Sequence, residues 1–219
     1  MGDWKGLGSR DLRDVWEGDH SAPDQAPPLA SRIRGVDEFL NAIAGSPARC
    51  AMLVIDIQDA YCLGVAQPVR DVSRRIHDYT PAFREAGISI YQVVMDSEYV
   101  SGEEPDLYQL RPEQRDYRFE KNRESAFKGS DIAEKLAENG HDFLLICGIY
   151  LNACVQETYT DALSGEYGRF EVGVLTDLSS NQTGVSEADS RGLSRDMTWW
   201  RGHICESDWV LRRLGQPAP

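Results

Sequence analysis

Short apolar runs alternate with amphipathic stretches along most of this chain. Ala51 to Ile55 (AMLVI), Ile88 to Met95 (ISIYQVVM), Phe143 to Cys147 (FLLIC) and Phe170 to Thr176 (FEVGVLT) are bounded by polar residues or glycine. Their β-branched and aromatic content reads as buried strand. Between them the apolar spacing predicts helices over about 36–43, 69–86, 130–139, 153–164 and 185–197. Gly87, Gly140 and Gly165 stand where a helix C-terminus favours a left-handed residue, and Ser130 stands where an N-cap would accept a backbone N–H. A short strand is expected over Tyr117 to Phe119 and a last one over His203 to Cys205. Alternation of this kind predicts an α/β fold of three layers, Rossmann-like, with a mainly parallel sheet of about six strands and helices on both faces. Ligands in such sheets bind beyond the C-terminal ends of the strands.

Residues 1 to about 34 break the pattern. They are rich in Gly, Pro, Asp and Arg, and SAPDQAPPLAS supports neither a regular helix nor a central strand. The expected organisation is an N-terminal arm over 1–34 followed by one domain over 35–219.

Composition narrows the function. Hydrophobic residues make up 41% and charged residues 27%, as in ordinary soluble domains. No run approaches the roughly 20 apolar residues of a membrane span, and the first residues contain no secretion-signal core, so a cytoplasmic location is expected. A formal charge of −13 opposes nucleic acid and anionic membranes as partners and leaves a small molecule as the expected ligand. Five irregularly spaced cysteines give neither a disulfide framework nor a paired zinc pattern. Cys50 and Cys147 fall in or beside apolar runs and read as small buried hydrophobes. No glycine-rich phosphate loop follows any strand.

Three polar residues stand at positions that favour chemistry. Asp56 ends the first strand in VIDIQDAY, where apolar neighbours raise a carboxyl pKa. Cys154, in LLICGIYLNACVQETYTDAL, falls in the first turn of a helix that follows a strand; there the macrodipole favours thiolate and backbone N–H groups favour an oxyanion. Lys121 follows the possible strand at 117–119, in RFEKNRESAF. Taken singly, each has an ordinary structural explanation: a strand-end cap, a packed thiol, a solvated lysine.

Together, these segments resemble the isochorismatase-like cysteine hydrolases, a family of nicotinamidases, N-carbamoylsarcosine amidases, ureidoacrylate hydrolases and isochorismatases. The resemblance covers about 50–210 and rests on VIDIQDAYC, on KNRESAF and on CGIYLNACVQETYTDAL with its Asp161-Ala162 pair. It implies Asp56 as general base, Lys121 as the stabiliser of charge and Cys154 as the nucleophile on an amide or ureido carbonyl. It implies an oxyanion hole from the N–H groups of Cys154 and Tyr150, the latter after a cis peptide, and a pocket lined by Tyr61 and Leu151. It also makes a homo-oligomer, dimer or tetramer, the expected state, with Trp199 and Trp200 as candidates for a subunit interface.

The departures bear on substrate. Leu151 replaces the usual Thr, and the stretch VVMDSEYVSGEEPDLYQL lacks the histidines with which nicotinamidases hold a metal. No metal and no cofactor are therefore expected, and nicotinamide is disfavoured. His20, His77, His141 and His203 are scattered and read as structural. Two alternatives carry forward: a thiol-independent vinyl-ether hydrolase of the isochorismatase type, and a non-catalytic member that binds a ligand or a protein.

Overall fold

The computed structural model describes residues 33, 35–58, 67–96, 113–181 and 202–219. The arm up to residue 32, Tyr61, Cys62, Trp199, Trp200 and the expected helix over 185–197 lie outside the described residues.

The elements follow the alternation of the sequence. They are α1 (Val36–Gly45), β1 (Cys50–Ile55), α2 (Gln67–Glu85), β2 (Ser89–Met95), β3 (Tyr117–Lys121), α3 (Ile132–Glu138), β4 (Phe143–Ile149), α4 (Gln156–Ser164), β5 (Glu171–Ser180), β6 (His203–Cys205) and α5 (Ser207–Arg213). The six strands form one sheet in the order β3-β2-β1-β4-β5-β6, and every pairing is parallel.

Alternation along each strand explains the layering. On β1, Cys50, Met52 and Val54 face one way and pack with Phe39 and Ile43 of α1, Ile76 and Phe83 of α2, and Val210 and Leu211 of α5. Ala51, Leu53 and Ile55 face the other way, toward Leu136 of α3 and Val155, Tyr159 and Ala162 around α4. Both faces of the central strands are apolar, which is why they read as continuous rather than alternating runs.

Two sequence expectations change. Ser130 stands one residue ahead of the N-cap position, which Asp131 holds; its hydroxyl still accepts the Ile132 amide at 3.4 Å while donating back to the Ala126 carbonyl at 2.6 Å. The helix expected from 153 begins as regular helix only at Gln156, because Leu151–Val155 forms a kinked π-type turn. Helix α5 had no counterpart among the expected elements; its amide at Ser207 is held by Asp177 of β5 at 2.9 Å.

Candidate active site

The strand order brings the site residues together. β1 lies between β2 and β4, so Asp56 after β1, the elbow after β4 and Lys121 at the end of β3 all stand at the C-terminal edge of the sheet. Asp56 leaves β1 at φ 56°, a left-handed conformation that aspartate tolerates better than most residues. Its amide still donates to the Val93 carbonyl of β2 at 2.8 Å. The turn is closed by Gln58, fully buried, whose side chain copies a strand pairing: it accepts from the Met95 amide at 2.8 Å and donates to the Met95 carbonyl at 3.3 Å. Gly148 makes room on the other side. Paired with Ile55 at φ 122°, it lies so close that a Cβ there would come within 2.2 Å of the Ile55 carbonyl oxygen.

Lys121 is buried at 1% exposure, the reverse of a solvated lysine. Its ammonium has three N–H donors and three acceptors: Asp56 Oδ2 at 3.0 Å, Arg123 O at 3.1 Å and Glu124 O at 2.9 Å. Burial of a charge is tolerable only with such pairing. The other Asp56 oxygen, Oδ1, is buried without a hydrogen-bond partner among the described residues. That leaves a carboxylate oxygen able to accept a proton.

Cys154 sits half-buried in the elbow, next to this pair. Asn152 (φ −90°, ψ 15°) and Ala153 (φ −141°, ψ −105°) are not helical, and the amides of Ala153 and Val155 both donate to the Tyr150 carbonyl, at 3.0 and 3.2 Å. The chain therefore turns sharply out of β4 and delivers Cys154 just ahead of α4. The Ile149–Tyr150 peptide is cis, as the family resemblance implies. Leu151 is buried in the core face that also holds Val155 and Ala126.

Electrostatics corrects one expectation. Burial pushes the Cys154 thiol up to about 12, the adjacent Asp56 adds to the rise, and Lys121 opposes it. Position before a helix N-terminus does not offset the burial and the neighbouring carboxylate, which together raise the thiol. Burial also raises Asp56 above the usual carboxylate range, against the lowering effect of Lys121. Carboxylate and thiol are thus coupled, and their protons belong to the pair. The other described cysteines, Cys50, Cys147 and Cys205, are buried and raised by desolvation, as packed thiols are.

The segment 93–110 contains no histidine. His141 and His203 precede or open strands β4 and β6 at the opposite, N-terminal edge of the sheet, and His77 lies within α2. The described residues contain no cluster of three or more His, Cys, Asp or Glu side chains suited to a metal ion, and no described helix is long and apolar enough to cross a membrane. Gln58 and Thr158, a buried residue on α4, were not singled out by sequence reasoning; the only available signal was a polar residue at an apolar phase of each segment.

Comparison with known proteins extends the geometry. A cysteine hydrolase from Pseudomonas syringae pv. phaseolicola superposes with a TM-score of 0.67 at 22% identity, covering 78% of this chain and 94% of that one. The N-carbamoylsarcosine amidase of Thermoplasma acidophilum gives 0.61 at 20% identity, covering 73% and 96%. The pyrazinamidase of Pyrococcus horikoshii, in complex with zinc, gives 0.59 at 22% identity, covering 72% and 99%. At these identities the likeness is one of fold. A probable isochorismatase from Pseudomonas chlororaphis is 38% identical over 71 residues, 32% of this chain, and the match spans only 34% of that relative's length. The isochorismatase domain model matches residues 50–190, well over half of the chain and the whole stretch from Asp56 through Cys154. By that match the chain belongs to the isochorismatase family, whose members are hydrolases that include amidases acting on C–N bonds.

Proposed function

We propose that the protein is a cysteine hydrolase that cleaves a C–N bond, in an amide, carbamoyl or lactam group, of a small metabolite through a thioester on Cys154. The observation that carries the reading is the buried Asp56–Lys121 pair at 3.0 Å with the Cys154 thiol against it. A protonated thiol beside a carboxylate of raised pKa suits concerted transfer: the Sγ–H proton passes to Asp56 as sulfur attacks the carbonyl carbon. Lys121 has all three donors engaged, so its part is to hold positive charge beside the forming thiolate rather than to bond the substrate. The N–H groups of Tyr150 and Cys154 would receive the oxyanion. As the C–N bond breaks, Asp56 returns its proton to the departing nitrogen. Water, deprotonated by Asp56, then opens the thioester to a carboxylic acid and restores the thiol. In this reading Tyr61 lines the substrate pocket, while Leu151, buried in the core at the elbow, shapes it without being open to solvent.

No step needs a metal, since residues 93–110 supply no histidine and the described histidines stand elsewhere. The test is a panel of amides, ureido acids and lactams assayed for ammonia or amine release, with the Cys154→Ala protein as blank. Release by the wild type alone, together with an acyl adduct mapped to Cys154, supports the reading. Hydrolysis of an isochorismate-type vinyl ether at equal rates by wild type and Cys154→Ala would favour the thiol-independent alternative. No turnover across both panels would favour a binding protein.

A further inference from the structure

We infer that Thr158 is a positioning residue of this site, fastening the loop that cradles Lys121 to the helix that carries Cys154. The inference rests on the proposed cysteine-hydrolase reading and adds to it a residue that touches no reacting atom.

Lys121 ends β3, and beyond it residues 122–131 belong to no helix or strand. No strand ladder therefore fixes the two carbonyls, Arg123 O and Glu124 O, that hold the ammonium along with Asp56. Something else must set their position relative to Cys154, which rises from a different strand. Thr158 spans the gap. It lies four residues after Cys154, one helical turn on, and is fully buried. Its Oγ1 accepts the Ala126 N–H at 2.9 Å, two residues beyond Glu124.

Inside the loop, short bonds transmit the anchor. The Phe127 amide donates to Ser125 Oγ at 3.2 Å and the Lys128 amide to Ser125 O at 3.3 Å, with Ser125 itself buried. A second, outer tie repeats the connection one turn further along the same helix: Lys128 Nζ stands 3.2 Å from Asp161 Oδ2, with the lysine half-exposed. Loop and helix are thus joined at two successive turns of α4, and only the inner joint is shielded from solvent. The Lys128–Asp161 pair, screened by water, contributes little by itself. The Thr158–Ala126 bond is the one whose loss leaves a buried amide without a partner.

The charged groups known to face Cys154 are Asp56, from the turn after β1, and Lys121, from the end of β3. A displaced ammonium would no longer offset the carboxylate, and the thiol would ionise less readily. A residue that merely packs the core would lower thermal stability without touching that balance.

The test uses the full-length protein and needs no substrate. Iodoacetamide alkylation of Cys154, read by peptide mapping, is followed against pH for the wild type, Lys121→Met, Thr158→Val and Thr158→Ser, with a melting curve for each. Lys121→Met should slow alkylation at each pH from 7 to 9; an unchanged rate there would sink the trio reading itself. Given that slowing, Thr158→Val should reproduce part of it, by about threefold or more, and Thr158→Ser should restore the wild-type rate. A Thr158→Val protein that melts lower yet alkylates like the wild type makes Thr158 structural only and overturns the inference. Should valine prevent folding, Thr158→Ala, which adds no methyl against the Ala126 amide, is read by the same two outcomes.

Discussion

Asp56 Oδ2 and Lys121 Nζ stand 3.0 Å apart with almost no exposure to solvent, although 64 intervening residues and a different strand separate them in the chain. A charge pair so placed is costly to desolvate, and it persists because each lysine proton has an acceptor. Breaking it from one side leaves the other charge stranded.

Lys121→Met should therefore destabilise the protein by about 3–5 kcal/mol at neutral pH. The sign with pH follows from Asp56. Its folded pKa is already raised, and removal of the lysine raises it further. A raised carboxylate contributes stability below its unfolded pKa and loses it as pH rises through the folded value. The variant's deficit should shrink toward pH 4 and grow toward neutrality, as measured by urea unfolding across that range.

Asp56→Asn should separate reactivity from catalysis. The carboxylate raises the Cys154 thiol, so its neutral replacement should speed alkylation at pH 7. Turnover should fall by about a thousandfold or more, because the proton acceptor is lost. Parallel alkylation and amide-hydrolysis rates check this; slower alkylation would mean that Asp56 promotes the thiolate at rest.

Cys154→Ala should abolish the acyl adduct in intact-protein mass spectra of substrate-quenched enzyme and lower turnover by orders of magnitude. An adduct mapped instead to Cys62 or Cys205 would relocate the nucleophile. Activity should survive exhaustive chelation, since no histidine accompanies the trio in residues 93–110. Loss on chelation with recovery on zinc, iron or manganese would contradict it.

Gly148→Ala should cost about 2–4 kcal/mol. The new Cβ would collide with the Ile55 carbonyl at a backbone angle that side chains rarely adopt. Because Ile55 precedes Asp56, activity should fall even in the fraction that folds. Thermal melts and specific activity of the soluble protein measure the two effects.

His141 gives a stability effect remote from the site. It is buried against the Tyr91 ring, and desolvation lowers its pKa below the ordinary value of 6.5. The unfolded chain then binds a proton that the folded one resists, so its contribution is complete above pH 6.5 and declines as pH falls toward the lowered folded value. Replacing His141 with Phe should flatten the loss of stability between pH 7 and pH 5. Equal slopes for the two proteins would show that other groups govern the acid limb.

Much of this architecture was legible from residue order. The strand-like runs all became strands, and Asp56, Lys121 and Cys154 were found at strand ends and at an elbow, where the alternation put them. Element ends were less readable. Leu151–Val155 carries the apolar spacing of a helix, yet the chain must first turn out of β4, and the turn distorts Asn152 and Ala153. Ser130 has the right residue type for a cap and does accept the Ile132 amide, but the helix starts one residue later than expected, so Asp131 holds the N-cap position.

By itself the sequence determined the local chemistry: which segments are apolar enough to become strands, which residue types stand at their ends, and that no histidine lies near the second strand's end. Only the tertiary structure decided what those residues are. Burial turned Lys121 from a surface group into a fully paired ammonium and raised the Cys154 thiol, because desolvation depends on every neighbour packed around a group and not on its neighbours in the chain. The roles of Gln58 and Thr158 lie wholly at that level. Each is an unremarkable polar residue until the fold brings a backbone amide from 37 or 32 residues away to within a hydrogen bond of it.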